Sequence, residues 1–438
     1  MSSLDDVKVH TAHGRPSLGR SLAVIYFVIV LYAAAFMSQQ PVQQYHVHTL
    51  GGESASSYLF LRSFFSCAQF LGSLVFGSLV DRFGARTALM LSFSAGAASY
   101  LLTASASSLV MLFLAQVPTV FLHAMLAARA FVTSCVPEEE RAVALGRLIV
   151  AYGVGMVVGP AIGGHLAASS LTLAALGAAF LSLLSLACVA WLLPAPPPTA
   201  LLGASAPPPP SSAQPPAPAD GSSGSSGSGS DPIVGPEGGA GGGGYRALIA
   251  LPGVPAALLV KLLFFASTQM FQAALLVVAE ERFQMDSAAL GEVLSFVGAA
   301  SVLASLLLVP AVSALPFSTV LAWSSLGTGF SLFLFSHATS RAEVYAWVLP
   351  QAALGSLFST VHNAAISKFA PPRLQGSLNA ADMALRAACS ILAPPMVAWL
   401  LSVGPPMVAG SQAPAALMIA AAGLLHLGIG VPPGRVGS

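Results

Sequence analysis

Asp382 and Arg386 stand four residues apart in the apolar run LNAADMALRAACS, and Asp382 is the one carboxylate deep within any apolar stretch of the chain. On a helix they share a face, where a carboxylate and a guanidinium neutralise each other. Either charge alone is expensive in hydrocarbon. That leaves two uses for them: a structural ion pair, or a substrate or coupling site at which the acid carries a proton. Lys261, in LLVKLLFF, poses the same choice against simple snorkelling of its ammonium to an interface. Gln116 and His123 lie seven residues apart and so on one helical face. Histidine titrates near neutral pH, so His123 is either a hydrogen-bonded packing residue or a coupling or substrate contact. Gln269 with Gln272, His362 with Asn363, and Gln39 with Gln40 add polar atoms to further apolar runs. Arg129 lies within two turns of a span end and reads as snorkelling. Lys261, Arg129 and Arg386 against Asp382 make the deep charge basic, which suits an anionic or neutral ligand.

Composition dictates the elements that hold these groups. Charged residues are 8% of the 438 and the mean hydropathy is +0.80, against roughly one-quarter charged in a soluble domain. The chain is therefore a multi-pass membrane protein. Windows of about 20 apolar residues, the length that crosses the hydrocarbon, fall at Ser21 to Val42, Ser57 to Val80, Arg86 to Ala104, Ser108 to Cys135, Ala142 to Ala168 and Leu171 to Leu193. A second set falls at Val254 to Ala279, Ser287 to Pro310, Phe317 to His337, Val344 to Lys368, Leu374 to Ser402 and Pro406 to Gly430. Between them, residues 194–245 are rich in Pro and then in Gly and Ser, a composition that buries too little apolar surface to fold. The expected organisation is an N-terminal tail over 1–20, a six-helix bundle over 21–193, a disordered linker over 194–245 and a second six-helix bundle over 246–438. Lys and Arg gather on the side of the termini and linker, which the positive-inside rule makes cytosolic. The polar stretch ahead of the first span is the wrong order for a cleaved signal peptide. Nothing distinguishes a plasma membrane from an endomembrane.

Several functions are excluded. A net charge of +1 offers no basic stripe for nucleic acid. Cys67, Cys135, Cys188 and Cys389 lie in apolar segments without CxxC spacing and read as small buried hydrophobes. There is no P-loop GxxxxGK[ST] and no HExxH, so no enzyme, cofactor or metal is expected.

Two stretches carry a resemblance. Gly77 to Leu89 reads GSLVDRFGARTAL, with Gly77, Asp81, Arg82, Gly84 and Arg86. It resembles the GxLxDRxGRRxxL loop between the second and third helices of the major facilitator superfamily, with Ala85 in place of one basic residue. Gly146 to Gly164 reads GRLIVAYGVGMVVGPAIGG. Its Gly146, Gly155, Gly159, Pro160, Gly163 and Gly164 fit the fifth-helix signature Gx8Gx3GPx2GG of that superfamily's antiporter branch, in the group similar to tetracycline-efflux and organic cation transporters. On a helix Gly155, Gly159 and Gly163 make one stripe, while Gly146, Gly153 and Gly164 cluster opposite. Such faces serve static close packing or a pliable helix at a moving seam. Pro160 frees a carbonyl that can bend the helix.

The resemblance implies an all-α fold of twelve transmembrane helices in two six-helix bundles, acting as a monomer. It implies a secondary transporter of a small organic solute, drug-like or metabolite, by proton-coupled antiport and alternating access. The alternatives are a symporter or facilitator on the same fold, or a non-transporting membrane scaffold. It further implies that Asp81 latches onto the start of the eleventh helix near Leu374, and that helices 1, 4, 7 and 10 line a central cavity. This sequence departs from the family at Gln116, where the fourth helix commonly carries an arginine linked to proton transfer. It also departs in its first span, which lacks the acid of many drug antiporters, and in the uncharged loop VPAVSALPFSTV of the second half.

Overall fold

A computed structural model describes residues 15–52, 55–193, 242–371, 374–404, 411–432, 434 and 436. The described residues are helical and contain no strand. Ten helices are long and apolar enough to cross a bilayer. One of these, Ala55–Ala104, is two arms joined at Gly84, and the shorter apolar helix Ala413–His426 brings the number of crossings to twelve. Gly84 has φ +80° and ψ 157°, a conformation that glycine alone adopts at little cost. The loop expected between the second and third spans is thus a single bend.

In chain order, α1 is Arg15–Ser38, continued after a turn by Gln43–Thr49, and α2 (55–83) and α3 (85–104) are the two arms. Then come α4 in three pieces between Leu109 and Cys135, α5 (Glu138–Ser169) and α6 (Leu171–Leu192). The second half holds α7 (Val254–Glu281), α8 (Ser287–Ala311), α9 (Phe317–Ser336), α10 (Arg341–Ser367), α11 (Gln375–Val403) and α12 (Ala413–His426). The N-terminal residues 1–14 and linker residues 194–241 lie outside the described residues. A short helix, Gly242–Ile249, starts inside the stretch expected to be linker; Leu248 anchors it in an apolar cluster with Val254, Ile366 and Leu378. Of the four cysteines, which the sequence reads as buried, only Cys389 is.

Odd-numbered helices run away from the end that carries the chain termini, and even-numbered helices return to it. At this terminal end each half has its own apolar cluster, around Ile25, Phe76 and Phe131 in the first half and around Leu248 and Ile366 in the second. At the far end one cluster spans both halves, bringing Val47, Tyr58, Leu59 and Leu61 together with Leu275, Leu276 and Leu290.

The fourth crossing is not one helix. It runs as Leu109–Leu114, a 3-10 turn Val117–Phe121, and Ala124–Cys135. Pro118 lacks the N–H that would continue the ladder, and a broken backbone within a membrane must find other partners for its carbonyls. Three neighbours supply them. The Tyr32 hydroxyl donates to the Leu122 carbonyl at 3.2 Å, the Gln69 amide to Thr119 at 2.8 Å and the Ser99 hydroxyl to Ala115 at 2.7 Å. Gln116 and His123 therefore flank a break instead of sharing one helical face as the spacing predicts. Replacing Gln69 with leucine should destabilise the first half by about 1–3 kcal/mol, the cost of a buried carbonyl left unpaired; thermal melting of the purified variant against the parent would measure it.

Candidate functional site

The polar side chains of the second half converge between α7, α10 and α11. Lys261 comes from α7, one face of which buries Val260, Lys261, Phe264 and Phe265. Its ammonium ion-pairs with Asp382 Oδ1 on α11 and donates a hydrogen bond of 2.6 Å to Asn363 Oδ1 on α10. Only 4% of the Lys261 side chain is exposed, against 22% for Asp382. Lys261 and Asp382 each lie seven residues inside the terminal end of their helices, roughly 10 Å along the axis. Beside them is a cavity of about 240 Å³, lined also by Asn363, Ile366, Ser367, Leu378 and Asn379.

Arg386 does not close on Asp382, as the four-residue spacing allows. Its guanidinium lies over the Phe265 ring, 4.6 Å from the centroid, and Lys261 Nζ sits 5.6 Å from the same centroid. A partner on another helix takes the carboxylate because the Lys261 ammonium is almost fully buried and has the greater need of a counterion. Higher on the same seam, the Gln269 amide donates to Ser390 Oγ. His362 is 1% exposed and stacks on Phe358, and neither ring nitrogen makes a hydrogen bond. Sequence reasoning missed Phe265 and Ser390, which look like ordinary apolar and small positions until the helices are packed.

The first half contrasts with this. Gln116 is buried and lines a small pocket of about 20 Å³ with Gln39, Gln40, Gln43, Tyr100 and Thr103, a wholly uncharged set. His123 packs on Phe76 at 5.2 Å with its Nε2 buried and unbonded. Gln116 and His123 are thus not joined to the charges of the second half.

α5 divides its glycines between two neighbours. The stripe Gly155, Gly159 and Gly163 lies against α1 of the same half: a Cβ on Gly155 would stand 2.5 Å from the Val30 carbonyl oxygen, one on Gly159 2.6 Å from that of Ala34, and one on Gly163 would overlap that of Ser38. The opposite face meets α8 of the other half. Gly164 packs on Ser287 and Gly291, Gly153 on Val302, and the Ala161 N–H donates to the Ser295 hydroxyl at 2.9 Å. Pro160 cannot donate to the Met156 carbonyl, which faces Gly298, while its own carbonyl faces Gly291. Gly291 and Gly298 are the partners sequence reasoning missed, although their seven-residue spacing on one face was visible. Gly146 has open space around it.

Of the proposed latch residues, Asp81 is exposed and makes no hydrogen bond or ion pair among the described residues. Arg82 lies over Phe83, Gly77 has open space, Gly84 makes the bend, and Arg86 donates to the Ala190 carbonyl on α6 at 2.7 Å. At the start of α11, Gln375 donates back to the Ser367 and Ala370 carbonyls, each at 2.7 Å. Among the described residues, no hydrogen bond or ion pair joins Asp81 to α11.

Polar bridges between the halves lie in the far half of the bundle. Gln44 donates to Leu276 O at 3.1 Å and Tyr45 to Met285 O at 2.7 Å, and His48 meets Glu280 at 3.0 Å. Ser63 donates to Ile391 O at 2.7 Å, and Ser287 to Gly164 O at 3.1 Å. The halves are joined at the far end and, among the described residues, have no such bridge at the terminal end.

A twelve-crossing bundle of two halves, with a charged site in one of them and a glycine-packed seam between them, defines a class of transport protein. The profile of the Major Facilitator Superfamily matches residues 22–253, and the chain belongs to that superfamily, which comprises transporters and not enzymes. Solute carrier family 67 member A1 from Homo sapiens is 36% identical over 189 residues, covering 40% of this chain and 44% of that protein. Tetracycline resistance protein, class C, from Escherichia coli is 36% identical over 133 residues, covering 30% of this chain and 34% of that protein. The chain thus spans less than half the length of these curated relatives. Among solved structures, the fold is similar to that of the human organic anion transporter MFSD10 (TETRAN), with TM-score 0.59 and 16% identity over 93% of this chain and 99% of that one. It is similar also to a POT family transporter in complex with 5-aminolevulinic acid, with TM-score 0.70 and 14% identity over 94% and 96%. At these identities the likeness is one of fold.

Proposed function

We propose that this protein moves a small organic solute by proton-coupled alternating access, with the solute held between the halves and the proton taken by Asp382. The observation that carries the reading is the set Lys261, Asp382 and Asn363 beside a 240 Å³ cavity, in a molecule whose described residues bridge the halves by polar contacts at the far end alone. Binding at a site between two halves, followed by rocking about it, is how such folds carry solutes. Asp382 has two exchangeable partners, the Lys261 ammonium and a proton, and switching between them changes what the cavity offers a solute. The uncharged interior of the first half leaves coupling to the second.

On this reading the terminal end is cytosolic and the structure is the inward-open state, with the Asp81 loop free to meet α11 when that end closes. Two senses of coupling fit the fold. In exchange, which the fifth-helix signature implies, proton and solute compete; in cotransport they load together. Relatives named for tetracycline resistance and a fold neighbour titled an organic anion transporter support a small organic solute in general terms.

The test is flux in proteoliposomes across charged and neutral compounds, with and without a pH gradient. Accumulation that needs the gradient and disappears in Asp382→Asn is expected. Flux indifferent to the gradient would make the protein a facilitator, and no flux of any compound would leave a non-transporting scaffold.

A further inference from the structure

We infer that the ligand of the second-half site is a small organic monoanion held by Arg386 above the Phe265 ring, and that it is loaded together with a proton on Asp382. The inference rests on the transport reading above and concerns the charge of the solute and the sense of coupling. Lys261 and Arg386 both lie against the Phe265 ring, and Asp382 pairs with Lys261 alone. That carboxylate is committed to Lys261, and among the described residues no other lies within ion-pair distance of Arg386. Arg386 is nevertheless exposed, on a part of α11 that lies roughly a third of a turn from the outward apolar stripe Leu392, Met396 and Trp399. A guanidinium at this depth without a counterion is costly unless it faces water and a ligand, and its planar fork suits a carboxylate or sulfonate.

Charge then decides what the site accepts. Lys261, Arg386 and Asp382 sum to one positive charge, so a monoanion brings the set to neutrality and a cation raises it to two. The other titratable groups on the helices packed around this set are His362 on α10 and Arg62 on α2, next to the Ser63 that bonds Ile391 of α11, and neither supplies a negative charge. Asp81 and Glu280 stand at opposite ends of the bundle. A proton on Asp382 removes the only negative charge and frees Lys261, which strengthens the pull on an anion. By linkage the anion strengthens the hold on the proton equally. Proton and solute therefore favour each other, the opposite of the competition that exchange requires.

Three probes of like shape separate the cases: benzenesulfonate, neutral benzenesulfonamide and cationic trimethylphenylammonium, each titrated calorimetrically into the purified full-length protein. Buffers of different ionisation enthalpy would count the protons moved. Benzenesulfonate should bind best, and with net uptake of protons. Arg386→Gln should weaken it about tenfold, the worth of one charge-assisted hydrogen bond, and Arg386→Lys should recover part of that. Because Arg386 makes no hydrogen bond or ion pair among the described residues and its contact with the Phe265 ring is on an exposed side chain, both variants should fold and melt close to the parent. Preference for trimethylphenylammonium with proton release would overturn the inference while leaving the transport reading standing with exchange as its sense. Absence of benzenesulfonate binding, or binding indifferent to Arg386→Gln, would overturn it too, and flux in proteoliposomes would still decide the transport reading independently.

Discussion

Asp382→Asn should cost the second half about 3 kcal/mol of stability, the order measured when one partner of a buried ion pair is removed, and should abolish gradient-driven accumulation. The cost falls on Lys261. Its side chain is 4% exposed, so the ammonium left behind has neither a counterion nor bulk water, and the Asn363 oxygen at 2.6 Å offsets only part of that loss. The double variant Lys261→Gln/Asp382→Asn removes both charges and should regain most of the stability, because an ion pair replaced as a unit costs little. It should remain inactive. Melting of the two single variants and the double one in detergent gives the coupling energy directly. A single variant as stable as the parent would mean that the pair contributes nothing to the fold, and coupling would have to be sought elsewhere.

The second large effect concerns α5. Gly159→Leu and Gly163→Leu should prevent the first half from packing, with losses of about 3 kcal/mol or more, because the obstruction is α1 backbone and backbone yields less than a flexible side chain. Gly164→Leu faces Ser287 and Gly291 on α8 and presses on the contact between halves. There the expected result is a folded protein whose far end is wedged apart, with slower turnover and greater solvent access at Gln44 and Tyr45. Cysteine accessibility in that segment, compared between variants of matched expression, would measure it. If the Gly159 and Gly164 substitutions behaved alike, the division of α5 into a face for its own half and a face for the seam would be wrong.

The structure alters several readings of the sequence, each for an identifiable reason. The bend at Gly84 falls where the GSLVDRFGARTAL loop was expected, since one glycine at φ +80° turns the chain without a loop. Within the Pro406 to Gly430 run, the described α-helix is Ala413–His426, ending four residues before Gly430. Gln116 and His123 share no helical face, because Pro118 interrupts the ladder and Tyr32, Gln69 and Ser99 take over its carbonyls. Those donors lie on three other helices, out of reach of a reading that follows the chain.

Hydropathy is a local and additive property: each window of some 20 residues either balances the cost of entering hydrocarbon or does not, whatever its neighbours are. For that reason the crossings were legible from the chain alone, and the family likeness was legible from two short motifs, Gly77 to Leu89 and Gly146 to Gly164. Pairing is a different kind of quantity. Lys261 and Asn363 are 102 residues apart, and which cation satisfies Asp382, which glycine face meets the other half and which end of the bundle is closed depend on how helices are placed in space. Only the tertiary structure decided these, because a charge in a low-dielectric interior takes the partner that packing brings within reach, and its neighbour along the helix has no prior claim.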